Sequence, residues 1–405
     1  MSKRVILHCD CNSFFASVET ALNPEYRDVP MAVCGSVEAR HGIVLAKNEL
    51  AKKYGIQTAE TVYSAKKKCP GLVIAKPHYD EYERFSKKVN EIYARYTDLI
   101  EPFGIDESWL DVTASQRFFG TGEQIAEKIR IQVKEEIGIT VSIGVSFNKV
   151  FAKLGSDYKK PDAITVIGEE NFKEIVYPLP AGALLFVGKK TEQVLNSLGA
   201  KTIGDIVKIG EEGLTKALGK MGEMLYKYAS GTDDSPVNAV REDAKSVGSG
   251  FTFNHDLIDV EDCRAGIEYL ADDIATRLRR MGMICSTVSL SIKDDKLNVI
   301  QRQRPQIPPT DTARLIANTA YDILLSEWRE DKPIRMLTVT AQNLIAAAGR
   351  AEQISFFDTE DVEENQKSKI KEETMDKIRQ KYGASSILQG SIISSDIGVY
   401  KPKYK

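Results

Sequence analysis

Phe103-Gly104-Ile105-Asp106-Glu107-Ser108-Trp109-Leu110-Asp111-Val112 sets two adjacent carboxylates inside a strand-like apolar pattern. Ile105, Trp109, Leu110 and Val112 supply the apolar positions, and Gly104 permits a tight turn just before the acids. Acids are poor strand formers, and an acid facing inward is expensive to bury unpaired. By itself the stretch supports two readings: a solvated hairpin tip, or a carboxylate pair offset by a divalent cation.

The rest of the chain decides between them. With 405 residues, 42% hydrophobic and 28% charged, it is an ordinary globular composition too long for one core. No apolar run is long enough to span a membrane. Met1 to Leu7 is basic and then apolar, but the run ends at His8 and Asp10, too short for a signal peptide. The cysteines at 9, 11, 34, 69, 263 and 285 form no C-x-x-C pair and have no histidine at zinc spacing, so they read as reduced cytosolic thiols. The net charge of -3 announces no polyanion, so local basic stripes must serve any nucleic-acid partner.

Arg4 to Asp10 reads as a buried strand with Asp10 at its C-terminal end, followed by a helix through Phe15, Val18 and Leu22 capped by Asn12 or Ser13. Short strands at 30–35 and 42–46 precede a helix over 48–54 that Gly55 ends, in a segment made basic by Lys47, Lys52, Lys53 and Lys66 to Lys68. A helix follows over 80–95. Thr121 to Gln124 resembles a capping box opening another, and Ile139 to Phe147 alternates as a strand. Strand, insertion, helix, hairpin, helix, strand is the order of a split βαβ, ferredoxin-like sheet. There the first strand lies beside the hairpin, so Asp10 meets Asp106 and Glu107. Three clustered carboxylates repel one another unless cations intervene. Two Mg²⁺ ions about 3.5–4 Å apart would remove the repulsion and suit in-line phosphoryl transfer from a nucleoside triphosphate.

Four long motifs carry a resemblance: D-C-N-S-F-F-A-S-V-E at 10–19, I-D-E-S-W-L-D at 105–111, S-I-G-V-S-F-N-K-V-F-A-K-L-G-S-D-Y-K-K-P at 142–161, and K-S-V-G-S-G-F-T-F at 245–253. The chain resembles a Y-family translesion DNA polymerase. The resemblance implies an α+β, right-hand architecture. A ferredoxin-like palm would hold 1–13 and 80–168, small fingers 14–79, and a helical thumb with helix-hairpin-helix turns 169–235. A linker at 236–245, an α/β little finger at 246–350 and a tail at 351–405 would complete it.

By the same resemblance Asp10, Asp106, Glu107 and the Cys11 carbonyl match the ligands of two Mg²⁺ ions. Phe15 matches the steric gate that rejects a ribose 2′-OH, Phe14 would stack beneath the sugar, and Lys160 matches the triphosphate lysine. Many members carry a Tyr and an Arg in the fingers where this chain has Glu49 and Lys52. Lys replaces Arg as a point charge but not as a fork, and an ionised Glu49 cannot donate, so Glu49 faces away or Lys53 takes the role. Gly188, Lys189, Lys190, Gly219 and Gly222 would bring thumb backbone to DNA phosphates. In the little finger Arg277, Arg279, Arg280, Lys293, Arg302, Arg304 and Arg335 are the phosphate candidates, with the basic residues of the strand face on the DNA. Gln353-Ile354-Ser355-Phe356-Phe357 resembles a sliding-clamp-binding peptide, and the chain beyond it reads as a charged helix over 366–382 and a flexible tail.

The expected activity is template-directed, error-prone addition of dNTPs to a primer 3′-OH without proofreading, in DNA repair, by a cytoplasmic monomer. Two alternatives stand beside it. A nucleotidyl cyclase shares the palm chemistry but lacks residues comparable to 181–350. A non-catalytic, polymerase-like DNA-binding accessory would have lost a metal carboxylate.

Overall fold

A computed structural model describes residues 3–36, 42–240, 243–328, 332–347, 359–383, 386–388, 390 and 396–398. The chain divides into two compact units, one mainly of residues 1–35 and 43–241 and the other mainly of 242–405.

The first unit begins with β1 (Ile6–Cys11), every residue of it buried, and α1 (Phe14–Leu22). Next come β2 (Met31–Cys34), β3 (Val44–Lys47), α2 (Glu49–Lys53), α3 (Val62–Lys68) and β4 (Val73–Ala75), a small sheet of order β3-β2-β4 with two short helices. Asn48 caps α2 by accepting from the Ala51 N–H. Then follow α4 (Tyr79–Tyr93), β5 (Ile100–Pro102), β6 (Glu107–Asp111), α5 (Gln116–Phe119), α6 (Gly122–Gln132), β7 (Val141–Ser146), α7 (Lys149–Tyr158) and β8 (Ile164–Ile167). Their sheet has the order β5-β6-β1-β7-β8. Without β8 this is the expected split βαβ arrangement, and β8 extends it in parallel beside β7. Both capping-box bonds between Thr121 and Gln124 form at the start of α6. The core behind the sheet joins Leu7, Leu110 and Ile143 to Val89 and Ile92 of α4 and Ile125 and Ile129 of α6. Each helix turns its apolar stripe inward, as the three-to-four-residue spacing dictates.

One cap differs from expectation. Ser13 precedes α1 in a left-handed conformation (φ 49°) and makes no side-chain cap; its hydroxyl donates to Glu49 instead.

Five helices and turns complete this unit: α8 (Phe172–Val176), α9 (Lys189–Ser197), α10 (Ile203–Leu218) and α11 (Lys220–Ser230) around a core of Leu195, Ile203, Leu214 and Leu225, with a 3-10 turn at Ala181–Ala183. Gly219, at φ 62°, turns the chain between α10 and α11.

The second unit is a four-stranded antiparallel sheet of β9 (Ser246–Leu257), β10 (Met283–Asp294), β11 (Val299–Thr310) and β12 (Ile334–Ala346), in the order β11-β10-β12-β9. Helices α12 (Val260–Met281) and α13 (Ala313–Glu327) cover one face. The sequence pattern alone predicts strands at 247–252, 285–293 and 336–344 and helices at 263–281 and 312–327, and each matches one of these elements. β11 is not among those predicted, because Val299 to Thr310 is rich in Gln, Arg and Pro. As an edge strand it tolerates those prolines.

Last comes α14 (Thr359–Tyr382), which packs onto this unit. Arg279 of α12 pairs with Glu372 (2.5 Å) and Asp376 (2.7 Å), and Arg379 donates to Asp272 (3.1 Å). Beyond the helix, Ile397 is buried in the unit's core. The expectation of a flexible tail is therefore wrong at Ile397, which an apolar contact fixes. Gln353 to Phe357 lie outside the described residues.

Candidate polymerase active site

Asp10 near the end of β1 and Glu107 at the start of β6 are cross-strand partners. Asp106 sits in the turn just before, where its carbonyl accepts the Cys11 N–H at 2.9 Å. The turn is tight: a Cβ on Gly104 would come within 3.3 Å of Asp106 Oδ1. The sheet register thus brings Asp10 beside the adjacent Asp106 and Glu107, which lie far from it in sequence.

Their electrostatics differ. Burial, with Asp10 and Glu107 as neighbours, pushes Asp106 up to about 6. Burial also opposes the charge on Glu107, but His8 and Lys153 outweigh it and hold Glu107 down at about 2. Lys153 Nζ lies 2.5 Å from Glu107 Oε2 and 3.2 Å from Asp10 Oδ2. Lys160 Nζ lies 2.7 Å from Asp10 Oδ2 and 2.7 Å from Asp157. Burial disfavours both ammonium groups, yet the carboxylates raise both pKa values. Lys153 is the residue that the sequence reading passed over. It looked like one more lysine in a basic helix, and only its place on α7 against β1 and β6 shows otherwise. His8 is fully buried, with Nδ1 2.8 Å from Ser156 Oγ and Nε2 3.4 Å from Glu107 Oε2.

Among the described residues no three metal-ligating side chains converge closely enough to hold a metal as they stand. The donor set nevertheless fits one. Three hard oxygen ligands share a site where one is held back from ionising and two lysine ammonium groups supply the positive charge.

The aromatic residues divide in two. Phe15 is half-buried and stacks on Tyr82 at 4.1 Å and 11°, with Tyr79 edge-on at 6.0 Å. Tyr82 is fixed by donating to the buried Glu19 at 2.6 Å. Phe14, expected beneath a sugar, is instead a core residue, 3% exposed. Its position in the first turn of α1 points it inward against the sheet. Glu49 does not face away: it accepts from Ser13 Oγ at 3.3 Å and pairs with Lys52 at 2.6 Å. Lys52 is thus in place near the start of α1 but engaged.

Among the residues expected at DNA, Gly188, Lys189 and Lys190 are exposed at the start of α9, and a Cβ at Gly188 or Gly219 would meet nothing. Gly222 is a correction. It is buried, and a Cβ there would lie 2.1 Å from Leu214 O, so this glycine permits α10 and α11 to pack and offers no phosphate contact. The strand-face expectation for the second unit is corrected as well. Arg302 and Arg304 pair with Leu290 and Val288, which puts them on the helix-covered face, and Arg302 bonds Glu327 at 3.2 Å. Arg279 is consumed by α14. Of the strand candidates with a paired position, Lys293 shares the opposite face, beside Ser289, Ser291, Gln301, Gln303, Thr338 and Thr340.

A split βαβ palm carrying a carboxylate cluster, joined to a helical module and a second α/β unit, is the class of nucleotidyl-transfer fold that the geometry defines. Family comparisons agree throughout. The impB/mucB/samB family matches residues 9–157, its C-terminal domain 244–356, and the thumb domain of DNA polymerase-iota 184–233. DNA polymerase IV of Acetivibrio thermocellus is 47% identical over 393 residues, covering 96% of this chain and 98% of that one. DNA polymerase IV 1 of Bacillus subtilis is 33% identical over 394 residues, covering 97% and 94%. A solved Y-family DNA polymerase chimera of Dbh and Dpo4, 24% identical, superposes with a TM-score of 0.75 over 84% of this chain and 99% of that one. The chain belongs to the Y-family DNA polymerases, in the DNA polymerase IV group.

Proposed function

We propose that the chain extends a primer 3′-OH on a DNA template with dNTPs, as a divalent-metal-dependent translesion polymerase using two Mg²⁺ ions. The observation that carries this is the Asp10–Glu107 register with Asp106 beside it and Lys160 reaching the same carboxylate. Asp10, Asp106, Glu107 and the Cys11 carbonyl would hold the ions, which when bound neutralise phosphate charge and lower the pKa of the primer hydroxyl. Lys160 would take a triphosphate oxygen. Phe15 would wall off the sugar edge. Gly188, Lys189, Lys190 and Gly219 would hold the duplex by its phosphates, without reading sequence. On the sheet face of the second unit, Ser289, Ser291, Gln301 and Gln303 would contribute hydrogen bonds beside Lys293.

The test is primer extension with all four dNTPs. Mg²⁺ should support it, EDTA should stop it, and added Mg²⁺ should restore it; extension persisting in EDTA would defeat the two-metal reading. The cyclase alternative lacks counterparts to the helical module and the second unit. The non-catalytic alternative would have lost a metal carboxylate, whereas Asp10, Asp106 and Glu107 are all present.

A sliding clamp is the further partner we assign, through Gln353 to Phe357, to a monomer acting in the cytoplasm. No helix among the described residues is long and apolar enough to cross a membrane. Deleting 353–357 should remove stimulation by a clamp and leave clamp-free extension intact. Stimulation that survives the deletion would place the docking site elsewhere.

A further inference from the structure

We propose that Asn12 is the positioning residue for Lys160, so that one short stretch of β1 and its exit sets both a metal carboxylate and the cation opposite it. The proposal rests on reading Lys160 as the triphosphate lysine.

Asn12 is almost wholly buried, and its polar groups are committed. Its Oδ1 accepts from the Asp162 N–H at 2.8 Å and from Thr140 Oγ1 at 3.0 Å. Its Nδ2 donates to Ser142 Oγ at 2.8 Å. Its own N–H donates to Thr140 O at 2.9 Å, and its carbonyl accepts from Ser17 Oγ at 2.6 Å. One side chain therefore ties the end of β1 to the start of β7 and to the loop after Lys160.

That loop needs an external hold. Asp162 adopts φ 52°, which a residue with a Cβ rarely does. Two contacts keep it there. On one side its carboxylate takes Arg130 at 2.8 Å and Lys134 at 2.9 Å. On the other its N–H meets Asn12. Lys160, two residues earlier, reaches Asp10 at 2.7 Å, and Asp10 lies two residues before Asn12. Removing the Asn12 oxygen leaves the Asp162 N–H without its acceptor and frees the near side of the loop. Lys160 keeps its charge but loses its fixed approach. A positional loss of this kind weakens nucleotide binding in the ground and transition states alike, which raises KM and spares kcat.

Single-nucleotide insertion at saturating Mg²⁺ tests this in four variants. Asn12→Ala should raise the dNTP KM about tenfold with kcat within about twofold. Asn12→Asp should stay near the parent, because it keeps the acceptor and Ser142 can turn its hydroxyl to donate. Lys160→Ala should raise KM at least as far, and the double variant should be no worse than Lys160→Ala. Asn12→Ser, too short to reach Asp162, replaces Asn12→Ala if that variant does not fold. A parental KM in folded Asn12→Ala or Asn12→Ser overturns the proposal. So do effects of Asn12→Ala and Lys160→Ala that multiply. An unchanged KM in Lys160→Ala defeats the triphosphate reading itself, and the proposal with it.

Discussion

Asp106→Ala should abolish Mg²⁺-dependent primer extension, by at least on the order of 10³-fold, while primer–template binding stays near the parental level. Asp106 lies at the turn where the hairpin meets β1, its carbonyl bonded to the Cys11 N–H. The DNA contacts assigned to the helical module and the second unit do not involve this side chain. A mobility-shift titration beside the extension assay separates the two effects, and appreciable extension by the variant would sink the assignment.

The same side chain makes an opposite prediction for stability without metal. Its folded pKa of about 6 lies above the ordinary 3.8, so the fold disfavours the ionised form. That penalty is absent below about pH 3.8 and complete above about pH 6. In chelator, Asp106→Asn should therefore be more stable than the parent near pH 7.5, by about 1 kcal/mol once partial solvent screening is allowed for. The gap should narrow as the pH falls through 6. A variant less stable than the parent at pH 7.5 would mean that the three carboxylates are already balanced by Lys153 and Lys160.

Phe15→Ala should admit ribonucleotides, lowering the preference for dNTP over rNTP by on the order of 10²–10³-fold. Exclusion by a wall works only if the wall cannot tilt. Phe15 stacks on Tyr82, and Tyr82 is held by the buried Glu19, which His78 also contacts at 2.9 Å. The ring therefore has a rigid backing that a lone exposed phenylalanine would lack. Competition between dCTP and CTP opposite a template G gives the ratio directly. A variant that still rejects CTP would move the gate to another side chain.

Much of the site was legible because strand order follows from the order of elements, and strand order alone brings Asp10 to Glu107. The capping box at Thr121 and the apolar stripes of α4, α6 and α12 were legible for the same local reason. Lys153, the inward turn of Phe14 and the packing role of Gly222 were not, since each depends on what lies across a tertiary contact. The arginines of the second unit show the limit most clearly. Whether Arg302 faces the helices or the opposite side is set by its pairing with Leu290, and a strand shifted by one residue would reverse it. Arg279 looked like a surface cation because its partners lie nearly a hundred residues away.

Those partners have a consequence for how this chain can change over generations. A buried ion pair contributes little net stability, and replacing both members by apolar residues is often harmless. Removing one member alone strands a buried charge, at about 3–5 kcal/mol. Arg279 with Glu372 and Asp376, and Arg379 with Asp272, are two such couplings between α12 and α14. Shortening the chain before α14 would strand Arg279 and Asp272 together, while neutralising either first would strand its partners. The helix is thus entrenched: a lineage that has acquired it cannot readily shed it one step at a time, whether or not its outer surface does any work.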